Sequence, residues 1–95
     1  MFGVIRHYHF DKKDSAEAER LIREDFLPLL RRTPGFVHYY WIDTGNGEGA
    51  SFGVFKDKAG ADESVRLAAE FVRERMSKLF RQKPEIIEGP IKAHD

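Results

Sequence analysis

Apolar and polar positions alternate at the start of the chain. Phe2, Val4, Arg6, Tyr8 and Phe10 fall on one side, and Gly3, Ile5, His7 and His9 on the other. A period of two is that of a strand, here Phe2 to Phe10. After the polar turn Asp11-Lys12-Lys13-Asp14-Ser15 the period changes to three and four. Ala18, Leu21, Ile22, Phe26, Leu29 and Leu30 form one stripe and predict a helix from Ser15 to Arg32. Asp14 or Ser15 can cap it, because a short side-chain oxygen satisfies an N–H of the first turn. Pro28 lies inside the stripe. It lacks an N–H and crowds the carbonyl of Glu24, which predicts a kink. Thr33-Pro34-Gly35 ends the helix.

A strongly aromatic strand follows, Phe36 to Thr44. The loop Gly45-Asn46-Gly47-Glu48-Gly49 turns the chain into a third strand, Ala50 to Lys56. Val65, Ala68, Ala69, Val72, Met76, Leu79 and Phe80 then predict a second helix, Ala61 to Arg81, ended by Lys83-Pro84. The last strand runs from Glu85 to Ala93. Gly89-Pro90 inside it marks an edge or a bulge, since proline cannot donate to a central ladder.

The order β-α-β-β-α-β with two amphipathic helices is the ferredoxin-like α+β arrangement. A four-stranded antiparallel sheet carries both helices on one face. The other face should be polar if it met water. Instead Phe36, Tyr40 and Ile42 alternate with Val37, Tyr39 and Trp41, and Phe52 and Val54 lie opposite Phe55. Apolar groups on both faces predict a second copy packed sheet to sheet, a homodimer.

Composition narrows the function classes. The 95 residues make one domain. A chain of this size buries only about 60–65% of its unfolded surface, so a partner subunit would help it. There is no cysteine, which excludes disulfides and thiolate chemistry. The 16 basic and 16 acidic residues cancel, which argues against nucleic acid as the main ligand. No apolar run approaches the ~20 residues of a membrane span. The N-terminus does not read as a signal peptide, so a cytoplasmic location is expected.

Candidate chemistry sits in the strands. His7 and His9 share a face and could hold a metal if further ligands converged, with His38 on the second strand as a third; otherwise they are polar contacts at the dimer seam and rim, or serve as a general base or ligand contact. No carboxylate holds an evident position to complete a metal set, so a metal is not expected. Tyr8, Tyr39, Tyr40 and Trp41 could line a pocket for a flat aromatic compound. Arg6 is a cation in a strand that otherwise reads as buried. It could form an ion pair across the dimer or hold an anionic ligand group. The glycine-rich loop is followed by a strand rather than a helix, so it is a hairpin and not a phosphate cradle.

The βαββαβ order, the Pro34-Gly35-Phe36-x-x-Tyr39-Tyr40 start of the second strand, the glycine-rich hairpin and the aliphatic-aromatic second helix resemble the antibiotic biosynthesis monooxygenase-like group. That group belongs to the dimeric α+β barrel superfamily. The resemblance implies a barrel of two sheets and a pocket between sheet and helices. It also implies a cofactor-independent monooxygenase acting on a small aromatic or polyketide-like compound. The group also includes non-catalytic possibilities: a small-molecule-binding or structural dimer of the same fold. Its haem-degrading members use a histidine on the second helix, and Ala61 to Arg81 contains none.

Overall fold

The first alternating segment forms β1 (Phe2–His9), with Val4, Arg6 and Tyr8 buried and Ile5 exposed. This is a computed structural model, and it describes residues 1–80 and 82–95. Phe10 leaves the strand to bridge Phe80, and its N–H donates to the Gly47 carbonyl at 2.8 Å.

The first helix covers residues 15–31 in three parts: α-helical Ser15–Leu21, π-helical Ile22–Phe26 and α-helical Leu27–Arg31. The expected cap at Asp14 makes no side-chain hydrogen bond. Asp11 caps the preceding 3₁₀ turn instead, accepting from the Lys13 N–H at 3.1 Å. The irregularity expected at Pro28 falls one turn earlier. Pro28 sits in the first turn of the last part, where no donor is needed. The backbone before it widens, and the Leu27 N–H reaches the Ile22 carbonyl, five residues back.

The hairpin strands are β2 (Phe36–Asp43) and β3 (Glu48–Phe55). The second helix begins three residues before the expected Ala61, because Asp57 accepts from the Gly60 N–H at 3.0 Å. It runs α-helical over Lys58–Phe71 and π-helical over Val72–Met76. Its expected end, Arg81, lies outside the described residues. β4 (Glu85–Pro90) completes the sheet and stops short of Ala93.

The sheet order is β2-β3-β1-β4, all antiparallel, and this is the ferredoxin-like fold. β4 is an edge strand, which accommodates Pro90. The helices cover one face and close a core of Val4, Tyr8, Leu21, Phe26, Leu30, Phe55, Phe71, Met76 and Phe80 with their neighbours. Gly60 holds the second helix close to the sheet end: a Cβ there would stand 2.7 Å from the Pro34 carbonyl oxygen. No helix is long and apolar enough to cross a membrane among the described residues.

β2 departs from simple alternation. Its register with β3 shifts between Phe36 and His38, a bulge at Val37. The expected grouping of Phe36 with Tyr40 and Ile42 is therefore corrected. Phe36 packs on the core with Tyr39 and Trp41, while Tyr40 and Ile42 stay 53% and 57% exposed on the outer face.

Candidate functional site

Strand parity sorts the candidate residues into two sets. Arg6 and Tyr8 of β1 lie beneath the helices, opposite Ser51 and Gly49 of β3. Tyr39 and Trp41 of β2 join them, opposite Gly53 and Ser51. Gly49 is what admits the Trp41 ring: a Cβ at that position would lie 2.6 Å from its Cη2. The buried Trp41 N–H has no hydrogen-bond acceptor among the described residues.

Arg6 occupies the centre of this set at 4% exposure. Its Nη2 donates to the Val65 carbonyl at 3.0 Å. Among the described residues no carboxylate forms an ion pair with it. Sharing a proton with Asp62 raises the Glu88 pKa from its ordinary value, against a small downward pull from Arg6. Burial pushes the Tyr8 phenol up, against a smaller downward pull from Arg6. Burial likewise pushes the Tyr39 phenol up. Both phenols are therefore neutral hydrogen-bond donors rather than bases.

The interior is nearly filled. A cavity of about 20 Å³ is lined by Arg6, Phe26, Tyr39, Ser51, Ser64 and neighbours. A second, of about 10 Å³, lies among Tyr8, Phe26, Tyr39, Phe71, Met76 and Phe80. The first has room for one water. Rings do the filling: Tyr8 stacks on Phe80 at 4.5 Å and Phe26 meets Phe71 at 5.2 Å. Both π-helical stretches contribute to this wall, through Ile22 and Phe26 and through Val72 and Met76. Such stretches are frequent at functional sites because they locally loosen a helix.

Arg6 also lines an open groove of about 550 Å³ between the second helix and β4. Val72, Phe80, Pro84 and Ile86 supply its apolar wall, and Arg73 and Lys83 add two more cations. That volume lies within the usual range for small-molecule sites, ~300–1,000 Å³. Sequence reasoning singled out Arg6 and the tyrosines but missed Ser51, Ser64, Arg73 and Lys83, which carry no motif.

The histidines lie on the opposite face of the sheet. His7 sits with Nε2 3.0 Å from Glu48 Oε1 and Nδ1 3.1 Å from Glu85 Oε1. Hydrogen bonds to Glu85 and then Glu48 raise its pKa. His9 Nε2 is 3.9 Å from Glu85 Oε1. His38 is exposed on β2 beside Tyr40, ring centroids 6.1 Å apart. The expectation that no carboxylate accompanies the histidine pair is corrected here. Antiparallel pairing puts Glu48 opposite His9 and Glu85 opposite His7. Both glutamates begin their strands, and only the register reveals where those ends lie.

The fold can be compared with solved structures. A monooxygenase from Streptomyces coelicolor, solved with the ligand nanaomycin D, superposes with a TM-score of 0.79 over 99% of this chain and 89% of its own, at 13% identity. An antibiotic biosynthesis monooxygenase superposes at 0.70 over 98% and 100%, at 18% identity. The chain has the fold of these monooxygenases. A protein of unknown function from Nitrosomonas europaea superposes on the chain equally well, at 0.79 over 99% and 91% with 20% identity. No family model matches the sequence, and no curated protein does.

Within this monooxygenase fold, the burial of Arg6 without an ion pair makes a testable difference. A buried charge kept for structure is costly to remove, whereas one kept for a ligand can be replaced by an apolar side chain of similar length at little cost. Arg6→Met is expected to unfold in urea within about 1 kcal/mol of the parent, or above it. A loss of about 3 kcal/mol or more would show that Arg6 is a structural ion.

Proposed function

We propose that the chain is a homodimeric, cofactor-independent monooxygenase that oxidises a small aromatic or polyketide-like compound bound as its phenolate or enolate against Arg6. The observation that carries this reading is Arg6 itself: buried, without an ion pair among the described residues, and lining both the interior cavity and the open groove. A desolvated guanidinium lowers the pKa of an acidic hydroxyl beside it and gives the anion two hydrogen bonds. Arg73 and Lys83 at the groove draw the same charge. The Streptomyces coelicolor monooxygenase of the same fold supports a ligand of this general size.

The chemistry follows from that placement. A ring methylene conjugated with a neutral carbonyl loses one proton to water in the open groove, and the resulting enolate shares its single negative charge between that carbon and the oxygen held by Arg6. The carbanion gives two electrons to dioxygen, a carbon–oxygen bond forms, and the peroxide takes up the proton. Loss of water then leaves a carbonyl, so the methylene and dioxygen yield a ketone and water with no external reductant. Tyr8 and Tyr39, held neutral, donate hydrogen bonds to the developing oxyanion. The aromatic wall excludes water from the carbanion. Arg6 makes the substrate acidic enough for water in the groove to accept the proton and return one to the peroxide, and His7, His9 and His38 take no part in it.

The filled interior favours a second reading, a non-catalytic binder of the same compounds in the groove. Oxygen-electrode assays with anthrone-type and dihydroxynaphthoid compounds separate the two. The proposal expects uptake that falls about 10²- to 10³-fold in Arg6→Met, the usual effect of removing an oxyanion donor. His38→Ala should leave it unchanged. Binding without oxygen uptake would select the binder, and neither binding nor uptake would sink both.

The dimer rests on the outer face. Ile5, Tyr40, Ile42 and Ile87 stay 41%, 53%, 57% and 69% exposed there. Four strands of this length present about 500 Å², so a face-to-face pair approaches the ~1,000 Å² of a specific interface. Light scattering should give twice the 11.0 kDa chain mass, and Ile42→Glu with Ile87→Glu should halve it. A parent protein of single-chain mass would contradict the dimer.

A further inference from the structure

We propose that His7, His9 and Glu48 form a binding site for a divalent transition-metal ion, zinc in the first instance, at one end of the outer sheet face. It is independent of the interior chemistry. His7 and His9 are two residues apart on β1, so their rings project to the same side, with centroids 4.5 Å apart. β3 places Glu48 directly opposite His9. One ligand atom from each of the three lies within 4.8 Å of the others. Tetrahedral zinc ligands, at ~2.0–2.2 Å from the ion, stand about 3.4 Å apart, so side-chain adjustments of about 1 Å suffice. The edge from His7 Nε2 to Glu48 Oε1, at 3.0 Å, is already short enough.

The donor set matches the chemistry. Two imidazoles and one carboxylate suit zinc, and three protein ligands leave a fourth position for water. The second carboxylate supplies what such sites need beyond the ligands. Glu85 Oε1 lies 3.1 Å from His7 Nδ1, on the side away from Glu48. An Nδ1–H donated to Glu85 fixes the tautomer and leaves the Nε2 lone pair for the ion. This is the carboxylate–histidine–metal arrangement. The ligands come from the adjacent strands β1 and β3 and the orienting carboxylate from β4, all paired in one ladder, so the backbone holds the spacing.

Protein without a polyhistidine tag, stripped with EDTA and dialysed, is titrated with zinc chloride by calorimetry at pH 7.5. Cobalt(II) absorption then reports the coordination number. The proposal expects saturable binding that is lost in His9→Ala and in Glu48→Gln. Glu85→Gln should weaken it by about 10- to 100-fold, as removal of an orienting carboxylate does. His94→Ala and His38→Ala should bind as the parent does. These side chains are partly exposed, and circular dichroism checks that each variant folds. A second readout, zinc-induced shifts of the His7 and His9 ring signals in NMR spectra, does not depend on the variants. Absence of saturable binding, or binding unchanged in His9→Ala and Glu48→Gln, would overturn the site.

Discussion

The register between β1 and β3 is the constraint on which everything else depends. Side chains along a strand alternate, so a slip of one residue would exchange the two faces completely. With Arg6 opposite Ser51 and His7 opposite Ala50, the guanidinium goes under the helices and the imidazole goes out. Two chemically different populations follow from that one pairing. Beneath the helices are a cation, neutral phenols and serine hydroxyls. On the other side are imidazoles and carboxylates bordering an apolar patch.

The inner population sits in tension with the core. Arg6 takes a place in the row Val4, Arg6, Tyr8 where an aliphatic residue would bury more favourably. The surrounding rings close the space around it to about 20 Å³. A compound of several rings would fit there only if side chains such as Phe26 and Tyr39 moved. The π-helical stretches of both helices contribute to this aromatic wall, and such stretches recur at functional sites. The open groove beside Arg6 already offers ligand-sized space at the same cation.

Much of this was legible in the sequence. The element order, the antiparallel sheet with two helices and the edge position of the proline strand all follow from periodicity and turn residues. The inward position of Tyr39 and Trp41 was not. The bulge at Val37 moves Phe36 onto their face, and a bulge leaves no mark in a run as uniformly aromatic as Phe36 to Ile42. Glu48 and Glu85 were equally hidden. They are distant in sequence from His7 and meet it only through strand pairing. The helix start at Lys58 is marked by Asp57, a strong capping residue, but the apolar stripe begins later and by itself points to Ala61.

The outer face has its own logic. Its exposed isoleucines and Tyr40 ask for a cover, while the histidine-carboxylate cluster next to them asks for a cation. The organic compound, in the function proposed above, belongs to the inner face and to Arg6 rather than to the histidines. A crystal structure of the protein soaked with a hydroxyanthrone tests it most directly. The ring system should lie between sheet and helices with an oxygen on the Arg6 guanidinium. A ring bound on the outer face beside His7, His9 or His38, with Arg6 untouched, would contradict it.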